Sequence, residues 1–189
     1  TAEGSTSLGV VSFSSNETQN SPIQLLSAPA AAIKSQIKST IDLINASGGT
    51  ALYDGAAFAL SNLQAFQQTS ATGAPGVVFV LADGDDGTSS LSELDVISQY
   101  QNANIPIFSF GYGGASPTGS LLRLANGTGG KFFSSPTSLG EITDAFLQAN
   151  ANATDTQNLA DGSSTVTAGS QTDFNITIDS GIQNVSLFI

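Results

Sequence analysis

An α/β fold, three-layered and doubly wound around a mainly parallel sheet, is predicted by three features of the sequence. Gly76 to Gly87 (GVVFVLADGDDG) is an unbroken apolar run that empties into an acidic loop. Ile105 to Gly113 (IPIFSFGYG) repeats the form, an apolar run ending in glycines. Between and around them apolar residues recur at helical spacing, so strands and helices alternate, and uninterrupted apolar strands suit a parallel sheet covered on both faces. In such sheets ligands collect beyond the carboxyl ends of the strands, where Asp83, Asp85 and Asp86 fall.

Taken in order, Thr1 to Ser7 is small and polar and reads as loop. Leu8 to Ser15 (LGVVSFSS) has the β-branched and aromatic content of a strand. Asn16 to Pro22 is turn material, and Ile23 to Leu26 a short edge strand. From Pro29, a residue suited to a helix start, to Ile44, the spacing of Ile33, Ile37, Ile41 and Ile44 is helical. Ala46-Ser47-Gly48-Gly49-Thr50 ends that helix, and Leu52, Ala56, Leu60, Leu63 and Phe66 mark a second through Gln67.

Gln68 to Pro75 is a polar loop leading to the first apolar run. Ser90-Leu91-Ser92-Glu93 has the form of a capping box for a helix reaching Asn102. Beyond the second run come a short helix over Pro117 to Ala125, a turn over Asn126 to Gly130 and a short strand over Lys131 to Ser134. Ser138 and Glu141 form another capping box, ahead of a helix with Ile142, Ala145, Phe146 and Ala149 on one side.

Near Thr154 the pattern changes. Residues 1–152 read as the α/β domain and 153–162 as a linker. Residues 163–189 contain no helical period and read as three short strands, near Ser164 to Ala168, Thr172 to Ile178 and Asn184 to Ile189. Closely spaced turns between alternating apolar residues make this the beginning of an antiparallel β-sandwich.

Composition excludes several function classes. The 189 residues carry a net charge of −11 with only four basic residues, Lys34, Lys38, Arg123 and Lys131, so there is no basic surface for a phosphate backbone. With neither Cys nor His, thiol nucleophiles, zinc-thiolate sites and the usual general base are missing. That argues against most hydrolase mechanisms and for a non-enzyme. No segment is apolar for long enough to span a bilayer. The lack of any Met points to a mature product or an excised piece. Six Asn-x-Ser/Thr sequons, at Asn16, Asn45, Asn126, Asn152, Asn175 and Asn184, are candidate glycosylation acceptors and imply an extracellular or cell-surface setting.

Three stretches then align: LGVVSFSS, GGTALYDG (Gly48 to Gly55) and VVFVLADGDDG. Their order and spacing resemble the von Willebrand factor type A domain over roughly Leu8 to Asn150, and IPIFSFGYG and LLRLANGTGGKFF are similar to its later strands. The family's metal-ion-dependent adhesion site uses a D-x-S-x-S loop after the first strand, a Thr in a Gly-rich loop and an Asp after the fourth strand. The resemblance places Thr50 and Asp83 at the latter two metal positions, with Ala82 where the family usually has Thr. It implies Mg²⁺, or Mn²⁺ or Ca²⁺, as cofactor and a protein ligand whose acidic group completes the ion's coordination. A hydroxyl and a carboxylate are the hard oxygen donors such an ion takes. Gly48 and Gly49 would allow close backbone approach, and Asp85 and Asp86 would support the metal loop or stand solvated.

One departure matters: D-x-S-x-S occurs nowhere in the chain. The first strand of the family and its ligands are therefore missing, with an upstream position the expected place for them, and ion affinity should be weak or absent without them. Asp179-Ser180-Gly181 follows an apolar stretch, but Ile182 and Gln183 break the pattern. The tail from Ser164 is similar to the β-sandwich that follows a type A domain in calcium-activated chloride channel regulator proteins. Two further readings stand beside this one: a structural extracellular module with a vestigial metal loop, and a Mg²⁺-dependent phosphohydrolase built on the acidic loop, using Arg123 or Lys131 against phosphate.

Overall fold

The computed structural model describes residues 6–26, 30–70, 75–112 and 118–134, and beyond them 140, 143, 146–149 and 151. The linker, the three C-terminal strands and the capping box at Ser138 and Glu141 lie outside the described residues. Nine elements follow in the order β1 (Ser7–Phe13), β2 (Glu17–Leu25), α1 (Ala30–Asp42), α2 (Leu52–Thr69), β3 (Val78–Ala82), α3 (Glu93–Ala103), β4 (Ile107–Gly111), α4 (Thr118–Thr128) and β5 (Phe132–Ser134). Residues 140, 143, 146–149 and 151 are helical as well.

β3, β4 and β5 form a parallel sheet in that order, with Val78 opposite Ile107 and Ser109 opposite Phe132. β1 and β2 form a separate antiparallel pair. On one face of the parallel sheet, Val78, Val80 and Ile107 meet Leu52, Ala56 and Leu60 of α2, Val96 and Tyr100 of α3 and Leu121 and Leu124 of α4. On the other, Phe79, Phe108, Phe110 and Phe133 pack with Phe146 and Ala149. The Phe110 ring stacks between Phe133 and Phe146, at centroid distances of 5.0 and 4.5 Å. Successive residues of a strand point to opposite faces, so apolar side chains at consecutive positions supply both layers.

Among the described residues, the buried side-chain polar atoms have hydrogen-bond partners except Asn20 Oδ1. Tyr100 is buried with its hydroxyl donating to the Ala56 carbonyl at 2.6 Å, and burial pushes that phenol well above its ordinary pKa. Ser109 Oγ donates to the Leu121 carbonyl at 2.8 Å and ties β4 to α4. Gly130 is required by space, since a Cβ there would lie 1.9 Å from the Ile107 carbonyl oxygen.

Several boundaries differ from expectation. Residues 17–22 are strand, because pairing with β1 overrides their turn composition; only Ser14 to Asn16 turn. The cap of α3 is Ser92 with Asp95, not Ser90 with Glu93: Asp95 N donates to Ser92 Oγ and Ser92 N to Asp95 Oδ2. α4 continues through Asn126 and Gly127 to Thr128, whose hydroxyl donates back to the Leu124 carbonyl at 2.8 Å and accepts from Ile107 N at 2.9 Å. Gly127 suits this helical position because Ile97 of α3 approaches to 2.8 Å of where a Cβ would stand. The apolar stripe of α1 is only half used: Ile37 is buried, while Ile41 and Ile44 are exposed.

Candidate metal centre

Three loops converge at the carboxyl ends of β1 and β3. The turn after β1 receives two hydrogen bonds from the glycine loop, Gly49 N to Ser15 Oγ at 2.8 Å and Ala51 N to the Ser14 carbonyl at 2.6 Å. Gly48 has φ +84°, in the left-handed region that favours glycine. At Gly49 a Cβ would lie 2.8 Å from Thr88 Cγ2, so the loop is threaded between the end of β1 and the loop that follows β3. The Thr50 carbonyl then accepts from Gly87 N at 2.9 Å and Thr88 N at 3.3 Å.

The acids of the loop after β3 have separate tasks. Asp86, half-buried, accepts from Leu52 N at 2.8 Å and from Ser89 Oγ. Ser89 Oγ in turn accepts from Tyr53 N at 3.0 Å and Asp54 N at 3.1 Å. Ala51 stands at the N-cap of α2 and has no side chain to cap with. The orphan N–H groups of the first turn are therefore satisfied from more than thirty residues away, and the carboxylate lies where the helix dipole favours negative charge. Asp54 answers in the other direction, accepting from Ser90 N at 2.7 Å and Leu91 N at 2.9 Å. Together these bonds lock the glycine loop, the start of α2 and the acidic loop into one unit.

Asp85 is exposed and receives a hydrogen bond from Ser120 Oγ at 3.3 Å. Ser120 opens onto a polar chain: Tyr53 Oη donates to Glu93 Oε2 at 2.8 Å, and Arg123 Nε donates to Glu93 Oε1 at 2.7 Å. Arg123 holds the Glu93 carboxyl below its ordinary value; burial, the larger cause, and Glu93 raise the Tyr53 phenol.

Asp83 is exposed at the end of β3 and accepts no hydrogen bond from the described residues. Thr50 Oγ1 lies 3.4 Å from where a Cβ on Gly84 would stand, against the backbone of the same loop. Thr50 thus lies against the loop that carries Asp83, and neither side chain has a hydrogen bond among the described residues, while Asp86 and Asp54 are engaged with backbone. A hydroxyl and a free carboxylate fit a hard cation that keeps several waters. They are not a complete set: among the described residues no group of three acidic or histidine side chains is placed to hold an ion. Ser14 and Ser15, and the capping role of Ser89, have no signal in local sequence, because they act on segments distant in the chain. Of the sequons, Asn16, Asn45 and Asn126 are exposed; Asn152, Asn175 and Asn184 lie outside the described residues.

The profile of the family described as "von Willebrand factor type A domain" matches residues 2–148. Among solved structures, the chain is similar to a von Willebrand factor type A protein from Catenulispora acidiphila, at 18% identity and a TM-score of 0.62, covering 78% of this chain and 34% of that one. It is also similar to proximal thread matrix protein 1 from the mussel byssus, at 20% identity and a TM-score of 0.55, covering 78% and 35%. At these identities the likeness is one of fold. This chain spans about a third of the length of either structure. No curated protein matches it.

Proposed function

The chain belongs to the von Willebrand factor type A domain family, a family of protein-interaction modules, and on that premise we propose that it is an extracellular adhesion-type module binding a protein ligand through a divalent ion. The observation that carries the reading is the pair Thr50 and Asp83: a hydroxyl lying against the loop after β3, and an uncommitted carboxylate of that loop, whose other acids are engaged. Thr50 and Asp83 would hold Mg²⁺, Mn²⁺ or Ca²⁺, with Asp85 and Asp86 supporting the loop. A bound ion would leave a position for an acidic side chain of the partner. The surrounding charge favours a cation, since Arg123, which reaches toward Asp85 through Ser120, is paired with Glu93. Among the described residues, no helix is long and apolar enough to cross a membrane.

The phosphohydrolase reading draws less support. Arg123 is already paired, and Lys131 precedes β5, at the opposite end of the strands from the acidic loop. The vestigial-loop reading is separated by titration. Mn²⁺ is added to the chain extended by a strand ending in D-x-S-x-S, followed by calorimetry and by water proton relaxation. Binding is expected in the extended chain and a loss of about tenfold or more in Thr50→Ala and in Asp83→Ala. Negligible binding in all three favours the vestigial loop.

A further inference from the structure

The three sequons within the described residues stand in different local structure. Asn16-Glu17-Thr18 passes from the turn after β1 into β2, with Asn16 and Thr18 exposed. Asn45-Ala46-Ser47 lies in the loop between α1 and α2 and is exposed throughout. Neither the Thr18 nor the Ser47 hydroxyl has a hydrogen bond among the described residues. Asn126-Gly127-Thr128 instead closes α4, and the Thr128 hydroxyl is committed twice, donating to the Leu124 carbonyl and accepting from Ile107 N. Transfer of an oligosaccharide to Asn Nδ2 uses the hydroxyl two residues on, in a segment that can bend around the acceptor. A surface loop qualifies and a packed helix end does not.

Both loop acceptors border the candidate metal centre, and on the same side. Ser14 N donates to the Asn16 carbonyl, while Ser14 O and Ser15 Oγ accept from Ala51 N and Gly49 N, so the turn that carries Asn16 is fastened to the glycine loop. Asn45 precedes Gly48 by three residues, a span of at most about 11 Å. It follows α1, which packs on β2, at the side of the glycine loop away from β3. The other side is formed by the acidic loop with the starts of α3 and α4, where Asp54 holds Ser90 and Leu91 and Ser120 holds Asp85. No sequon occurs between Asn45 and Asn126, so α2, β3, the acidic loop, α3 and β4 carry no acceptor. Asn126 lies at the far end of α4, beside the start of β4.

We propose that Asn16 and Asn45 carry N-linked glycans which together fence the β1 side of the candidate metal centre, leaving the acidic loop and the first turn of α3 as the open approach for a protein partner. The approach route rests on the adhesion reading above, whereas the glycans need only passage through a secretory pathway. At each acceptor a bond forms between Asn Nδ2 and the first sugar's C1, and the C1–O bond to the diphosphate of a lipid-linked oligosaccharide donor breaks. Nδ2 gives up one proton and keeps the other. At Asn45 the remaining N–H can continue to serve the Leu43 carbonyl, which now accepts from Nδ2 at 3.1 Å. Glycans are bulky and solvated, so two on one border close it to a large partner without touching the loop that holds Asp83.

The test secretes the 189-residue chain from cultured animal cells behind a cleavable signal peptide. Mass spectrometry after enzymatic deglycosylation, which converts each occupied Asn to Asp, should find both Asn16 and Asn45 occupied. The chain has no Cys, so one introduced thiol reports access. Leu43→Cys, at a position 78% exposed beside Asn45, reads the fenced side. Gly87→Cys, where a Cβ meets open space, reads the acidic loop. N-ethylmaleimide should label either position at the same rate with or without glycans. A maleimide carried on a large polyethylene glycol should label Leu43→Cys several-fold more slowly than it does in the same chain with Asn16→Gln and Asn45→Gln, and Asn126→Gln should restore nothing. Its rate at Gly87→Cys should not change. Empty Asn16 or Asn45 overturns the proposal, as does a Leu43→Cys rate indifferent to the two substitutions, which assigns any shielding to other sequons. Equal slowing at Gly87→Cys overturns it too, since the glycans would then cover the centre and leave no open side. None of these readouts uses an ion, so a fence without ion binding, or ion binding without a fence, tells the two readings apart.

Discussion

β1 and β4 are both short apolar strands, yet every residue of Ile107–Gly111 is buried and none of Ser7–Phe13 is fully so. β4 has a strand on either side, helices α3 and α4 on one face and the Phe146 layer on the other. Among the described residues, β1 pairs with one strand and packs chiefly against one helix, α2. The residues differ little in hydrophobicity; what differs is how many partners surround them. Burial is a property of the neighbourhood, and an apolar strand with partners missing on one edge and one face keeps the composition of a central strand.

Phe110→Ala breaks the comparison with the largest expected effect. Its ring is stacked on both sides and fully buried, so its removal should cost about 3–5 kcal/mol in urea unfolding. Val10→Ala in β1, half-buried, should cost less than about 1 kcal/mol. Equal losses would mean that the hairpin is as tightly packed as the parallel sheet.

An intermediate effect separates two acids only one residue apart. Asp86→Ala removes the distant cap of α2 and should cost about 1–2 kcal/mol, with faster amide exchange at Leu52 to Asp54. Asp85→Ala, at an exposed position with a single 3.3 Å hydrogen bond, should stay within about 0.5 kcal/mol. Indistinguishable variants would remove Asp86 as the anchor of the acidic loop.

The smallest expected effect is a matter of pH. Arg123 lowers the pKa of Glu93 in the folded chain. A depressed carboxylate contributes stability that is fully present above its unfolded value, about 4.5, and is lost as pH falls through the lowered folded value. Glu93→Gln should therefore flatten the acid limb of the stability profile slightly and leave it unchanged near neutrality apart from a constant offset. Arg123 is solvent-exposed, so screening keeps the change small, and 0.5 M salt should shrink it further. A steeper acid limb in the variant would contradict the pairing.

Much of the fold is legible because it rests on local rules. The runs at Val78–Ala82 and Ile107–Gly111 are uninterrupted, the helical spacing from Leu52 is regular, and the order of motifs around Gly48, Thr50 and Asp83 resembles one family, which the profile match confirms. The misread places are those where a distant partner outvotes local composition: Glu17–Pro22 becomes strand through β1, and α4 passes Asn126 and Gly127 through its packing on α3. In the candidate site, only the resemblance to the family singles out Thr50 and Asp83. Residue type alone does not separate Asp83 from Asp86, and their different hydrogen bonding comes from the fold.

The sequence by itself determined the alternation of strands and helices, the apolar character of β3 and β4, the absence of imidazole and thiol chemistry and the acids gathered after β3, because each follows from composition or from periods of two and 3.6 residues. Only the tertiary structure decided that Asp86 caps α2 while Asp83 stays uncommitted, and that β1 pairs with β2 while β3 pairs with β4. Hydrogen bonds and strand neighbours join segments more than thirty residues apart, and no local pattern records which segments will meet.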